Sequence, residues 1–190
     1  MLSKYGYNLN GKFYLTGLAN FRTQFFDGYT FSGNRGTFTS TFLSPAYALL
    51  SVGIDYKPTA NLSAFVSPIT SRWVIAADQY LANKASYGVD SGKHTSNEVG
   101  AFASINYRQL LPKNVSYKGR LDLFSNYKKH PENIDMFFTN YVAFRLSKYF
   151  SVTYNLDMIY DDDVKLFGKD GTSPALQLKS MFGIGFLKRF

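Results

Sequence analysis

Residues 174–190 alternate between apolar and polar side chains with a period of two, and few folds accommodate so long an alternation. Even-numbered positions hold the apolar residues Leu176, Leu178, Phe182, Ile184, Phe186 and Phe190. Odd-numbered positions hold Gln177, Lys179, Gly183, Gly185 and Arg189. This period is typical of a β-strand with one hydrophobic face. Strands of soluble sheets average roughly five or six residues. A tilted strand needs about ten residues to cross a bilayer, so the stretch predicts a membrane-spanning strand.

The same alternation recurs upstream and predicts about nine strands in all. The earlier segments are residues 2–9, 12–26, 37–57, 62–75, 97–109, 115–128, 134–146 and 150–160. Ser67-Pro68 interrupts one of them, and the missing proline amide predicts a β-bulge there. Residues 27–36 are rich in glycine and predict a loop or a protruding hairpin, and residues 76–96 predict a long irregular connection.

Short and long connections alternate along the chain, and this is typical of outer-membrane barrels, which have short periplasmic turns and long outer loops. The turns near residues 10, 58, 112 and 147 are short, and those near 32, 85, 130 and 167 are generally longer. The last strand then ends in the periplasm, and the first one runs downward from the outer surface. Bacterial barrels have even strand counts, so we expect at least one further strand before Met1. No signal peptide is visible at the start, which also predicts a fragment of a longer barrel.

Composition excludes several classes of protein. Hydrophobic residues make up 45% of the chain, yet no apolar run approaches the roughly 18 residues of a transmembrane helix. Aromatic residues make up 18%, as expected for a barrel with lipid-facing and interfacial aromatics. The absence of cysteine excludes disulfides and thiolate sites. A net charge of +8 raises the question of nucleic acid, anionic lipid or an anionic cargo.

Several short motifs resemble a Bacteroidota outer-membrane β-barrel family that is catalogued only as a domain of unknown function. They are Tyr5-Gly6-Tyr7, Thr23-Gln24-Phe25 with Gly28-Tyr29, Leu43-Ser44-Pro45-Ala46-Tyr47, Gly53-Ile54-Asp55-Tyr56-Lys57-Pro58, Ser67-Pro68, Tyr87-Gly88-Val89, Glu98-Val99-Gly100-Ala101, Leu123-Phe124-Ser125-Asn126-Tyr127, Tyr160-Asp161-Asp162-Asp163 and the Gly183/Gly185/Phe190 ending. The resemblance implies location in the bacterial outer membrane and a longer N-terminal region with a signal peptide and further strands. It implies no established activity and no cofactor.

Charged residues lie on the polar parity and are expected to face the barrel lumen. They are Arg22, Asp55, Glu98, Arg108, Lys118, Arg120, Asp122, Asp135, Arg145, Asp157 and Lys179. Such residues suit an anion-preferring lumen, because a low-dielectric wall focuses the field of fixed charges. Alternatively they form cross-strand salt bridges that fill a narrow interior.

Three consecutive carboxylates, Asp161, Asp162 and Asp163, open a predicted outer loop and are the only candidate metal ligands. Their spacing does not match a calcium-binding loop, so a solvated acidic loop is the alternative. The two histidines, His94 and His130, also fall in predicted outer loops. No spacing places a serine or a carboxylate pair beside them, so no catalytic residue is predicted.

Two further sequence patterns concern the partners that the protein could bind. Basic and aromatic residues occupy opposite strand faces, whereas a nucleic-acid groove needs them together, so no nucleic acid is expected. The terminal Phe190, with apolar residues at even spacing before it, resembles the C-terminal signal that the outer-membrane assembly machinery reads.

The sequence therefore predicts an all-β protein, an antiparallel transmembrane β-barrel of outer-membrane type. It forms one domain that contacts outer-membrane lipid and lipopolysaccharide. The leading function is non-enzymatic, either a narrow pore or a structural or accessory subunit of an envelope complex. The alternatives are an outer-membrane enzyme acting on lipid or glycan near the outer loops, and a soluble β-barrel with an apolar interior.

Overall fold

The computed structural model of the chain describes residues 1–33, 35–84, 86–162 and 173–186. It is nearly all antiparallel β-structure, with 69% strand and 4% helix, so the predicted all-β class is confirmed. Within these ranges no helix combines the length and apolarity that crossing a bilayer requires.

The described elements are eleven strands, one short α-helix and one turn of 3₁₀-helix at Ser86–Gly88. They are β1 (Leu2–Asn10), β2 (Phe13–Thr23), β3 (Gly28–Ser32), β4 (Arg35–Ser40), β5 (Ala46–Tyr56), β6 (Leu62–Ile75), α1 (Gln79–Asn83), β7 (Thr95–Leu111), β8 (Val115–Asn126), β9 (Ile134–Arg145), β10 (Phe150–Tyr160) and β11 (Gln177–Phe186). Nine of the strands form one sheet in the order β1-β2-β5-β6-β7-β8-β9-β10-β11, and β3 and β4 form a separate hairpin. Neighbours in the sheet are consecutive in the chain apart from that hairpin, which gives a simple meander.

One predicted strand is wrong, and the hairpin explains why. Residues 37–57 were expected to form a single strand, but β4 ends at Ser40 and β5 begins at Ala46. Thr41 and Ser44 exchange backbone hydrogen bonds of 2.8 and 2.9 Å, which closes a turn between the two strands. The following Pro45 has no amide to donate to a ladder, so the segment cannot continue as a regular strand.

The predicted bulge at Ser67-Pro68 is confirmed, and it changes which residues of β6 face inward. The register with β7 shifts between Ser67 and Thr70. Phe65 and Thr70 are fully buried, whereas Val66 and Ile69 are 60% and 70% exposed. The residues of β6 that face inward therefore have odd numbers before the bulge and even numbers after it.

The two faces of the sheet have opposite polarity. On β5 the outward residues Leu50, Val52 and Ile54 are exposed, while the inward Ser51 and Asp55 are buried. Polar residues are also buried on β2, β6 and β7, at Thr16, Ser67 and Ser104, beside a group of buried aromatic side chains. A soluble domain places most of its large apolar side chains inside, so a sheet with exposed aliphatic residues outside and buried polar residues inside is named here an inverted sheet.

The sheet is strongly curved, as contacts on its inner face show. These contacts join side chains of strands that are not neighbours in the sheet. The guanidinium of Arg22 on β2 lies 4.6 Å from the ring centre of Phe137 on β9. Arg72 on β6 is 2.8 Å from Asp135 on β9. Among the described residues β1 and β11 each pair on one side only, so a closed barrel is not seen.

Connections at the two ends of the sheet differ in length. Residues 11–12, 57–61, 112–114 and 146–149 link strands at one end, named here the short-turn end. Residues 24–45, 76–94, 127–133 and 161–176 link strands at the other, the long-loop end. The predicted alternation of short and long connections is therefore confirmed.

Gly100 on β7 marks a close approach to β8 that can be tested. A Cβ at Gly100 would overlap the backbone carbonyl oxygen of Ser125, whereas a Cβ at Gly17 would meet nothing within 4 Å. We expect Gly100→Ala to lower the free energy of unfolding by about 1–3 kcal/mol, as overpacking does. Urea unfolding followed by the fluorescence of Trp73 measures this, with Gly17→Ala as the matched control. Equal stabilities of the two variants would contradict the close approach.

Candidate functional site

The interior of the curved sheet is the candidate functional site, and an aromatic cluster occupies part of it. Leu18, Phe65, Phe102 and Phe124 are buried together, with Leu49 packed against them. The rings of Phe65 and Phe102 lie 6.2 Å apart. These side chains come from β2, β5, β6, β7 and β8, so they fill the space that the curling sheet encloses.

Arg72 lies beside this cluster and joins three strands. Its Nε is 2.5 Å from Oε2 of Glu98 on β7, and one terminal nitrogen is 2.8 Å from Oδ2 of Asp135 on β9. Its guanidinium carbon lies 4.1 Å from the ring centre of Phe124. The planar fork of arginine can serve two carboxylates at once. Arg72 therefore neutralises two of the predicted interior acids, Glu98 and Asp135.

A second ion-pair group surrounds Asp55, which is fully buried. Oδ2 of Asp55 lies 2.9 Å from Nζ of Lys4 and 3.4 Å from Nζ of Lys57. The hydroxyl of Ser63 donates to Oδ1 of Asp55 at 2.9 Å. Burial of a carboxylate is costly unless it is paired and hydrogen-bonded. Asp55 is paired and its Oδ1 is hydrogen-bonded, whereas among the described residues its Oδ2 has the two ion-pair contacts but no hydrogen bond.

A third group joins Arg120 and Asp122 on β8. Nε of Arg120 donates to both carboxylate oxygens of Asp122 at 2.9 Å. The hydroxyl of Ser104 on β7 donates to Oδ1 of Asp122 at 2.7 Å. The Arg120–Asp122 ion pair lies within one strand, and only the hydrogen bond from Ser104 links it to a neighbouring strand.

A cavity of about 290 Å³ remains beside the aromatic cluster, toward the long-loop end. Its lining includes Arg22, Tyr47, Leu49, Phe137 and Tyr160. Its size is close to the lower limit of small-molecule sites, roughly 300 Å³. The walls are mostly apolar. The guanidinium of Arg22, which stacks on the ring of Phe137, adds a positive charge to the wall at the end of β2.

The remaining predicted charges lie near the strand ends or the sheet edge. Arg108 and Lys118 are direct cross-strand partners on β7 and β8. Arg145 ends β9, and its amide donates to the carbonyl of Asn114 at 3.1 Å. Asp157 on β10 is the cross-strand partner of Lys179 on β11.

The long connections 24–45 and 76–94 pack on each other at the long-loop end. The hydroxyl of Tyr87 donates to the carbonyl of Thr39, and the amide of Asp78 donates to Oγ of Ser44 at 2.7 Å. Asp78 also caps α1, accepting from the amide of Leu81 at 3.0 Å. Burial, and then the charge of Asp78, raises the pKa of Tyr87 above its ordinary value. This end of the sheet therefore carries an ordered extension rather than a simple loop.

Of the predicted acidic residues, Asp161 lines the same cavity as Arg72 and Asp135, so it lies beside an interior ion-pair group, whereas the two histidines lie in the connections. Asp162 accepts a hydrogen bond from the side-chain amide of Asn133 and one of 3.2 Å from the hydroxyl of Tyr160. His94 lies 2.9 Å from the carbonyl of Ala76, and His130 is 3.1 Å from Glu132. In the described ranges no three His, Cys, Asp or Glu side chains converge as a metal site would require. Asp163 and Phe190 lie outside the described residues.

Sequence reasoning missed the interior aromatics. Phe102, Phe124 and Phe137 face inward, although aromatic residues were expected on the outer face. The sequence does contain a signal for their orientation. Each of the three lies an even number of residues from a charged residue that was predicted to face inward on the same strand, namely Glu98, Asp122 and Asp135, respectively.

Comparisons of the chain with models of protein families, with curated proteins and with solved structures find no match. The functional interpretation therefore rests on the geometry of the chain itself. Its main features are an inverted sheet, an interior filled by aromatic and ion-pair groups, and an ordered extension at the long-loop end.

Proposed function

We propose that the chain forms the lipid-facing wall of an antiparallel β-barrel in the bacterial outer membrane. The observation that carries this proposal is the inverted polarity of the sheet, with aliphatic residues exposed outside and charged residues paired inside. In water such an outer face would be a large apolar patch, and patches of that kind mark contact surfaces. In a bilayer the same face lies in its preferred solvent.

Aromatic pairs at one rim of the outer face support the membrane orientation. At the short-turn end Phe13 stacks on Tyr56 at 4.7 Å, and Phe150 lies 5.2 Å from Phe186. Transmembrane barrels carry aromatic girdles at the two membrane interfaces. Between the rims β5 carries the aliphatic residues Leu50 and Val52, whereas β10 and β11 carry one aromatic pair there, Tyr154 and Phe182.

Closure of this barrel requires an odd number of further antiparallel strands between β1 and β11. Each of the nine strands is antiparallel to its neighbour, so β1 and β11 run in the same direction. Pairing them directly would create a parallel ladder. A second copy in the same membrane orientation would also bring β11 beside β1 in parallel. The resemblance to Bacteroidota barrels with additional strands agrees with this requirement.

We further propose that the barrel is a structural or accessory subunit of an envelope complex and not a pore or an enzyme. The aromatic cluster and the Arg72 group occupy the interior between β2 and β9, where a pore would need water. Its partners are outer-membrane lipid and lipopolysaccharide, with the assembly machinery acting on the C-terminal strand.

Single-channel recording of the natural full-length protein in planar bilayers tests this function. We expect no steady conductance steps from folded protein, because the interior is filled. The double variant Phe65→Ala/Phe102→Ala should conduct, and it serves as the positive control. Steady anion-selective steps from the unaltered protein would instead establish a narrow pore lined by the basic residues.

A further inference from the structure

Three basic residues at the short-turn end belong to none of the ion-pair groups described for the interior. Arg108 on β7 and Lys118 on β8 are direct cross-strand partners. Arg145 ends the next strand, β9, and its backbone pairs with Asn114 in the turn that joins β7 to β8. All three side chains are exposed, and we name this group the basic mouth.

The basic mouth lacks the carboxylate partners found deeper in the interior. Lys4 and Lys57 pair with Asp55, Arg72 pairs with Glu98 and Asp135, and Arg120 pairs with Asp122. In the part of the chain that the structure describes, no acidic oxygen lies within 4.0 Å of Arg108, Lys118 or Arg145. Lys118 lies near the ring of Tyr141, whose centre is 5.8 Å from Nζ.

Like charges placed directly across an antiparallel ladder destabilise a sheet. A single substitution at either position would relieve the repulsion between Arg108 and Lys118. The pair also stands on the inner face of a low-dielectric wall, which concentrates its field at the mouth. An anion bound between the two strands would convert this repulsion into two attractive contacts.

We propose that the basic mouth binds an oxyanion of the phosphate type that carries at least two negative charges. The guanidinium of Arg108 presents paired N–H donors to two oxygens of such a group, and Lys118 supplies a compact charge. Two cations that face each other across the ladder match the two charges of a phosphoryl group better than the single charge of a halide. The group can belong to a free phosphate compound or to a lipid headgroup.

Isothermal titration of the full-length protein in detergent with pyrophosphate tests the site. We expect saturable binding that weakens at least tenfold in Arg108→Gln and in Lys118→Gln. Arg35→Gln, which removes one exposed charge at the long-loop end, should bind as the unaltered protein does. Titration into nanodiscs with and without phosphatidylglycerol distinguishes the sources, because competition by that lipid identifies the headgroup.

A charge reversal separates binding from folding. Lys118→Glu places opposite charges across the ladder, so we expect a higher unfolding temperature together with lost pyrophosphate binding, whereas Lys118→Arg should retain binding. Absence of binding by the unaltered protein, or equal weakening in Arg35→Gln, would overturn the site. The inference rests on the proposed barrel for its position at a mouth. Heat-modifiable gel mobility checks folding of the barrel separately, so folded protein that fails to bind rejects the anion site alone.

Discussion

Replacement of Arg72 by Met should lower the free energy of unfolding by about 3–5 kcal/mol, the usual cost of removing one partner of a buried ion pair. Arg72 neutralises Glu98 at 2.5 Å and Asp135 at 2.8 Å, and all three side chains are less than a fifth exposed. Without the guanidinium, two carboxylates remain close together in a poorly solvated interior. Urea unfolding in detergent, followed by the fluorescence of Trp73, gives the difference.

Neutralising the two acids should recover most of that loss. The triple variant Arg72→Met/Glu98→Gln/Asp135→Asn removes the three charges together, and replacement of a whole buried ionic group is often close to neutral. Lys93→Met is the matched control, because its pairing with Asp90 is exposed and should contribute little. A triple variant as unstable as Arg72→Met would show that the effect does not come from unpaired carboxylates.

An arginine on the outer face should be the second most damaging change. Val52 is 60% exposed at the middle of β5, and Arg at the lipid-facing midplane of a barrel costs about 2–4 kcal/mol. We therefore expect Val52→Arg to lower the free energy of unfolding in lipid by that amount. A soluble barrel with the same exposed valine would change by no more than about 0.5 kcal/mol, as surface substitutions do.

Ala60→Arg is the control for this substitution, since Ala60 lies in the exposed connection 57–61 beyond the strands. It introduces the same side chain outside the proposed bilayer, so its stability should remain close to that of the unaltered protein. Equal effects of Val52→Arg and Ala60→Arg would argue against lipid contact at β5.

Much of the sheet could be predicted from periodicity. The side chains of a strand alternate between its two faces, so alternating apolar and polar residues show which residues face outward. On β5 and β7 the outward residues Val52, Ile54, Val99 and Ile105 lie on the predicted parity. Pro68 predicted the bulge at Ser67-Pro68. The glycines of residues 27–36 predicted a connection there, and this region contributes to the β3–β4 hairpin. The break at 41–45 was not predictable from alternation, because the apolar pattern resumes directly after it.

The interior groups were predictable only in part, because they depend on contacts between distant strands. Glu98, Asp122 and Asp135 were identified from parity, but Arg72 was not, since the bulge at Ser67-Pro68 exchanges the two faces of β6. Lys4 was missed because β1 is short and its polarity is weakly marked. Curvature of the sheet decides which charges meet, and a single strand pattern contains no information on curvature.

Accessibility of successive β5 side chains to lipid is the most direct test of the inverted sheet. The chain contains no cysteine, so single cysteines at residues 49, 50, 51, 52 and 54 of the protein can each carry one nitroxide label. In bilayers we expect collision with oxygen to peak at positions 50, 52 and 54 and to fall at 49 and 51. Peaks at the odd positions, or uniform collision with a water-soluble relaxant, would contradict a lipid-facing outer surface.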